Sequence, residues 1–303
     1  MITRVNRLFS SAASQIHRLA HSGKNTYQRI FSDARSGKST GSGSKDIQQS
    51  TSGDEQAART AHSAAAGNSS RHSPRKRKPV WSLDDFPVDP LPGKSRFHDF
   101  DIDLRIMRGV AQEGYEYCTP IQEKALPEAL EGKDIIGRAQ TGTGKTAVFL
   151  IGLFCRLLKD EKKLPPPGHP RGLIIAPTRE LVIQIVKDGQ NLGAFSTLKI
   201  AAVYGGTDYQ KQREMLRRNR CDIIAATPGR LLDFMRQNVL SLDRCASLVI
   251  DEADRMLDMG FIPDVRRILS HMPGRGKRQT MLFSATVTDD VRRLATQWCS
   301  DPV

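Results

Sequence analysis

Cysteine is scarce in this chain and nowhere paired in sequence. Its 303 residues include five, Cys118, Cys155, Cys221, Cys245 and Cys299, an odd number with no two at CxxC spacing. That argues against a disulfide framework or a zinc site and for a reducing compartment. The seven histidines form no ligand cluster. Long apolar runs are missing too. The best candidate, Val148 to Cys155, is cut off by Arg156, far short of the roughly 18–20 residues of a membrane span, and reads as a core helix. No internal repeat is visible, and the N-terminus lacks the apolar stretch of a secretory signal.

What the chain does have is positive charge, unevenly placed. Residues 1–96 carry 16 Lys/Arg against 7 Asp/Glu, and the remainder 30 against 26. A basic arm on a near-neutral domain suits a nucleic-acid or anionic partner, or simply keeps the arm solvated. Arg4, Arg7, Arg18, Lys24 and Arg29 all precede the first acid, Asp33, a pattern shared by organelle transit peptides and basic disordered arms. Residues 36–78 are mostly Ser, Gly, Ala, Thr, Gln and Lys/Arg and end in Arg75-Lys76-Arg77-Lys78. They hold too little apolar surface to offset ordering entropy. The sequence therefore predicts a disordered basic Ser/Gly-rich tail over 1–79, a linker over 80–96 and a folded domain over 97–303.

In that domain short β-branched runs alternate with helical patterns. The expected strands are Ile135–Ile136, Leu173–Ala176, Ile200–Tyr204, Ile223–Ala226, Leu248–Ile250 and Met281–Phe283. Helical patterns between them include Thr119–Glu131, Lys145–Lys159, Arg179–Leu192 and Ile262–His271. This alternation predicts an α/β fold, a mostly parallel sheet with helices on both faces. Ligands of such sheets sit at the carboxyl ends of the strands.

Two motifs fall at such ends. Ala139-Gln140-Thr141-Gly142-Thr143-Gly144-Lys145-Thr146 follows a strand and opens a helix. Glycines there turn backbone N–H groups toward phosphate oxygens, and the helix N-terminus adds positive potential. Lys145 is placed to reach the β- and γ-phosphates, and the Thr146 hydroxyl to hold Mg²⁺. Further on, Leu248-Val249-Ile250 runs into Asp251-Glu252-Ala253-Asp254. Asp251 is placed to hold Mg²⁺ through water, and Glu252 to deprotonate the attacking water. Alone, the first could be a chance glycine-rich turn and the second an acidic helix start. Together they predict a nucleotidase site.

From Phe97 onward the motifs, in this order, resemble the DEAD-box ATP-dependent RNA helicases. Gly114-Tyr115 and Thr119-Pro120-Ile121-Gln122 look like that family's Q motif, in which Gln122 reads adenine and the upstream Phe97 stacks on the ring. Pro177-Thr178-Arg179, Gly205-Gly206 and Thr227-Pro228-Gly229-Arg230 look like its RNA-contacting motifs, whose residue types suit backbone recognition. Ser284-Ala285-Thr286 looks like the motif linking the nucleotide site to strand separation, through hydroxyl hydrogen bonds to the acidic motif. Stretches such as Val80–Phe86 and Asp254–Phe261 are most like the bacterial RhlB-type members.

The resemblance implies a RecA-like domain that takes ATP, Mg²⁺ and RNA without sequence preference, in a monomeric cytoplasmic protein of RNA turnover with an endoribonuclease partner. A mitochondrial location is the lesser alternative, and Gln122 with the acidic motif argues against a DNA translocase. The family has a second RecA-like domain that supplies arginine fingers, and no second strand–helix series follows here. The expectation is that these 303 residues bind ATP and RNA weakly and hydrolyse slowly. The competing reading is a solitary ATP- and RNA-binding module.

Overall fold

Six runs of β-branched and aliphatic residues build one parallel sheet: β1 Ile135–Arg138, β2 Gly172–Ile175, β3 Ile200–Val203, β4 Ile223–Ala226, β5 Ser247–Ile250 and β6 Gln279–Ser284. Their spatial order is β1-β6-β5-β2-β4-β3. In this computed structural model, residues 81–161 and 164–303 are described. The expected basic tail over 1–79 lies outside the described residues. All six expected strands are present, β6 longer than its apolar centre suggested because Gln279 and Thr280 are buried as well.

Alternate residues of each strand point to opposite faces, and both faces are covered. Ile174, Val249, Met281 and Phe283 pack against helices α1 Leu104–Gln112, α2 Pro120–Glu131, α3 Lys145–Lys159 and α4 Arg179–Leu192. Leu173, Ile175, Leu248, Ile250 and Leu282 pack against α5 Tyr209–Arg218, α6 Pro228–Arg236, α7 Ala253–Asp258, α8 Ile262–Leu269 and α9 Asp289–Trp298. Burial on both sides explains why β2, β4 and β5 read as continuous apolar runs. α3 is apolar almost all round because it packs between the sheet and its neighbours: Val148 to Cys155 are all buried. No helix among the described residues is long and apolar enough to cross a membrane.

Local chemistry sets the boundaries. Thr119 and Gln122 form a capping box at the start of α2, with Pro120 at the first helical position. Thr178 and Thr288 cap α4 and α9 through their hydroxyls. The stretch read as a linker makes specific contacts where it is described. Val88 is buried, Trp81 packs on the core, Tyr117 Oη donates to Asp89 O at 2.8 Å and Arg96 Nη1 to Val88 O at 2.9 Å.

Beyond the strand tips the ladder continues by single backbone rungs. Ala139 N–H donates to Ser284 O at 2.9 Å, Asp251 N–H to Ile175 O at 2.9 Å, Ala176 N–H to Ala226 O at 3.0 Å and Thr227 N–H to Val203 O at 3.0 Å. These rungs hold the loops that follow in fixed positions along the carboxyl edge.

Candidate functional site

The strand order sorts the motifs into two groups. β1, β6 and β5 are neighbours, so Ala139–Thr146, Ser284–Thr286 and Asp251–Asp254 emerge side by side. β2, β4 and β3 are neighbours, so Pro177–Arg179, Thr227–Arg230 and Gly205–Gly206 emerge beside them. Residues far apart in sequence thus share one edge.

In the first group, Lys145 opens α3 and its Nζ lies 2.8 Å from Asp251 Oδ1 and 3.9 Å from Glu252 Oε1. The Thr141 hydroxyl donates to Glu252 Oε1 at 3.0 Å. Asp251 is fully buried. Burial pushes its carboxyl above the usual range, and the Lys145 charge opposes that rise. Its Oδ2 is buried with no hydrogen-bond partner. Glu252 starts α7 from a left-handed backbone, φ 55° and ψ 53°, an unusual conformation for a long side chain.

Gly144 also has a left-handed backbone, φ 93°, and a Cβ there would collide with the Gln122 amide. The collision reflects a real linkage. Gln122 Nε2 donates to Gly144 O at 3.1 Å, its Oε1 accepts from Thr119 N–H at 2.8 Å, and Thr119 Oγ1 donates to Thr143 O at 2.8 Å. The Q-motif residues therefore hold the phosphate loop. Gln122 keeps one N–H and one lone pair for a base. Ala139 uses its N–H in the rung to Ser284, and Thr143 Oγ1 donates to Gln140 O.

A cavity of about 710 Å³ opens here, lined by Phe97, Tyr115, Gln122, Gly142, Lys145 and Thr146 among others. Phe97 is only 1% exposed and lies under Tyr115, with ring centroids 6.1 Å apart. Tyr115 and Tyr117 also line the cavity, and Tyr115 is the more exposed of the two, at 36%. Sequence reasoning gave Tyr115 no role. An aromatic immediately after Gly114, beside an otherwise polar motif, was the available signal.

Ser284 and Thr286 meet the acidic motif through Asp254, another residue without an assigned role. Thr286 N–H and Oγ1 donate to Asp254 Oδ2 at 2.9 and 3.0 Å, and Ser284 Oγ accepts from Asp254 N–H at 3.2 Å. Burial pushes Asp254 up, but the Thr286 and Arg255 donors outweigh it and hold the carboxyl below its usual range.

In the second group, Thr178 and Thr227 stand at the N-termini of α4 and α6, with Pro228 at the first turn. Gly206 has φ 76°, and a Cβ on it would lie 2.9 Å from Arg179 Nη1, so these two motifs touch. Arg179 is exposed beside Glu180. Space is open over Gly205 and Gly229. The Arg230 guanidinium sits 5.2 Å from the Tyr209 ring centre, and its Nη1 is buried without a partner. Pro177 directly follows the Ala176 rung.

Among the described residues no cluster of three or more His, Cys, Asp or Glu could cage a metal. Mg²⁺ needs no such cage. It is commonly held by one or two protein oxygens, water and phosphate, and the unpartnered Asp251 Oδ2, next to Lys145, with Thr146 in the cavity lining fits that donor set.

The sequence model of the DEAD/DEAH box helicase family matches residues 119–294. The ATP-dependent RNA helicase RhlB of Pseudomonas aeruginosa (strain UCBPP-PA14) is 53% identical over 220 residues, 71% of this chain and 54% of that protein. RhlB of Pseudomonas putida is 52% identical over the same length. RhlB of Xanthomonas oryzae pv. oryzae is 50% identical over 212 residues, 68% of this chain and 36% of that protein. The chain spans about half the length, or less, of these relatives. With its phosphate loop and acidic motif joined at one sheet edge, the chain belongs to the DEAD/DEAH box helicase family.

Proposed function

We propose that this chain is the ATP-binding part of an ATP-dependent RNA helicase of the RhlB kind, hydrolysing ATP to separate short RNA duplexes. The observation that carries this reading is the joined site. Lys145, Asp251 and Glu252 form one buried charge cluster, which the exposed Thr141 joins through its hydroxyl, beside a cavity that also holds Gln122 and an open aromatic ring.

Each residue then has a task. Tyr115, with Phe97 beneath it, offers a ring to the base, and the remaining N–H and lone pair of Gln122 select adenine. Backbone N–H groups from Thr141 to Gly144 and the N-terminus of α3 receive phosphate oxygens. Lys145 exchanges Asp251 for the β- and γ-phosphates. Asp251 and Thr146 would hold Mg²⁺, which would supply positive charge to neutralise that developing on the phosphates. Glu252 takes a proton from the attacking water. Ser284 and Thr286 connect this site, through Asp254, to the strand edge.

RNA binds along the second group. Thr178, Thr227 and two helix N-termini face phosphates, and Arg179 and Arg230 add charge. Gly205, Gly206 and Gly229 leave room for a backbone. None of these reads a base edge, so binding is tolerant of sequence and sensitive to salt. A role in RNA turnover in the cytoplasm, beside an endoribonuclease and as a monomer, is the part of this proposal that rests only on the resemblance of the sequence motifs to RhlB-type helicases.

The test is ATP binding by calorimetry and ATP hydrolysis with and without single-stranded RNA. Lys145→Ala should lose nucleotide binding. Glu252→Gln should bind ATP normally and lose roughly 10²–10⁴-fold in hydrolysis. Normal hydrolysis by Glu252→Gln removes Glu252 as the base. ATP binding without turnover in wild type, whatever the RNA, favours the binding-module reading.

A further inference from the structure

We infer that Thr141 is a positioning residue for Glu252: its hydroxyl anchors one carboxylate oxygen so that the other faces the attacking water. This rests on the reading of Glu252 as the general base.

Glutamate is a poor choice for a fixed base unless something holds it. Its side chain has three rotatable bonds, and here it hangs from a left-handed backbone at the first turn of a helix of six residues. Fixing such a side chain costs rotamer entropy, and the local helix supplies no cap bond to it. The two carboxylate oxygens are treated differently. Oε1 receives the Thr141 hydroxyl at 3.0 Å, with Lys145 Nζ farther off at 3.9 Å. Oε2 has only Arg255 Nη1 at 3.5 Å, from a side chain that is 59% exposed. Lys145 is committed elsewhere, 2.8 Å from Asp251. The short, directional bond to Glu252 therefore comes from Thr141, which lies 111 residues away in sequence.

That geometry divides the work. Oε1 has a lone pair engaged by the Thr141 hydroxyl, whereas Oε2 meets only the long contact from an exposed arginine. Oε2 is the oxygen left to accept a proton, and the Oε1 bond sets the plane in which it points. Orientation of this kind is worth orders of magnitude in rate when the reacting atoms are already close. Thr141 sits on the exposed loop between Gln140 and Gly142, so its side chain can be changed without disturbing the core.

The experiment compares wild type with Thr141→Val, which keeps the shape and removes the hydroxyl, and Thr141→Ser, which keeps the hydroxyl. Single-turnover ATP hydrolysis in saturating RNA and ATP affinity by calorimetry are measured for each. Thr141→Val is expected to slow hydrolysis roughly 10- to 100-fold, with ATP affinity within about threefold (~0.65 kcal/mol). Thr141→Ser is expected to recover most of the rate. In a Glu252→Gln background, Thr141→Val should cost nothing further, because residues acting through one group are not additive.

A loss of affinity matching the loss of rate makes Thr141 a phosphate contact only and overturns the proposal. So does unchanged or faster hydrolysis by Thr141→Val, or a full second loss in the Glu252→Gln background. If Glu252→Gln itself turns over normally, both this inference and the base assignment fall. If it is inactive while Thr141→Val is normal, only this inference falls.

Discussion

Two carboxylates of one tetrapeptide are shifted in opposite directions, and the cause is what each touches. Asp251 is buried, and its carboxyl is raised despite Lys145. Asp254 is half-buried, and the Thr286 and Arg255 donors outweigh that burial and hold it low. Lys145 thus has a structural duty besides the phosphate binding proposed for it. Lys145→Ala should leave an uncompensated buried charge and destabilise the fold by about 3–5 kcal/mol. The double variant with Asp251→Asn should recover much of that, as measured by urea denaturation. The pH dependence follows in sign. Without Lys145 the folded-state value of Asp251 rises further. The penalty should be smallest below the unfolded carboxylate value of about 4, where Asp251 is protonated in both states, and should grow as pH rises. Asp254 behaves oppositely. Its contribution is present above about pH 4 and fades as pH falls through its lowered folded value. A penalty for Lys145→Ala that shrinks with rising pH contradicts this account.

At the scale of elements, α1 and α4 meet at a glycine. A Cβ on Gly109 would run into the backbone carbonyl of Leu192 at the end of α4. Alanine normally gains about 1 kcal/mol over glycine inside a helix, but here the obstacle is backbone and cannot rotate away. Gly109→Ala should therefore destabilise by roughly 1–3 kcal/mol, whereas Gly229→Ala, in open space in the first turn of α6, should be neutral or stabilising by up to about 1 kcal/mol in the same thermal-melting comparison.

The sheet was legible because buried strands such as Leu173–Ala176 and Ile223–Ala226 are apolar without interruption. Arg179–Leu192 was legible because a long amphipathic helix has strong periodicity, and Lys145–Lys159 because its apolar run is long for a strand and follows a glycine-rich loop. α5 has only Leu216 buried among its charges, and α7 has six residues, so neither offers a period to read. In the site, the motif residues could be named from sequence, but their partners could not. Nothing local announces that Thr141 reaches Glu252, that Gln122 braces Gly144, or that Phe97 lies beneath Tyr115.

For the whole described domain, thiol chemistry gives a global reading. Cys155, Cys221, Cys245 and Cys299 are buried and Cys118 is half-buried. Burial pushes Cys155 and Cys221 up to about 11 and Cys118, Cys245 and Cys299 up to about 12. A thiol reagent at neutral pH should label Cys118 first and slowly, and the other four only on unfolding. Rapid labelling of Cys155 or Cys245 in the native protein, followed by mass spectrometry, would contradict the packing. Salt gives a second reading. If RNA is held through phosphates, affinity should fall along a straight line in log–log coordinates between 50 and 200 mM salt, with a slope of about −0.7 per neutralised phosphate.

The single rungs past the strand tips have a mechanical meaning. From Ala139 to Ser284, Asp251 to Ile175, Ala176 to Ala226 and Thr227 to Val203, they tie the carboxyl edge at four of its five strand junctions, all but that of β6 with β5. They make it a stiff rail, on which no strand can slide without breaking a backbone bond. A signal from the nucleotide side to the side proposed to hold RNA therefore cannot travel by strands sliding past one another, and has to pass between loops whose roots are fixed. Asp251 is tied to Ile175, and only Ala176 separates that carbonyl from Pro177. The most direct course thus runs across one rung, with almost no slack in the chain to absorb a push.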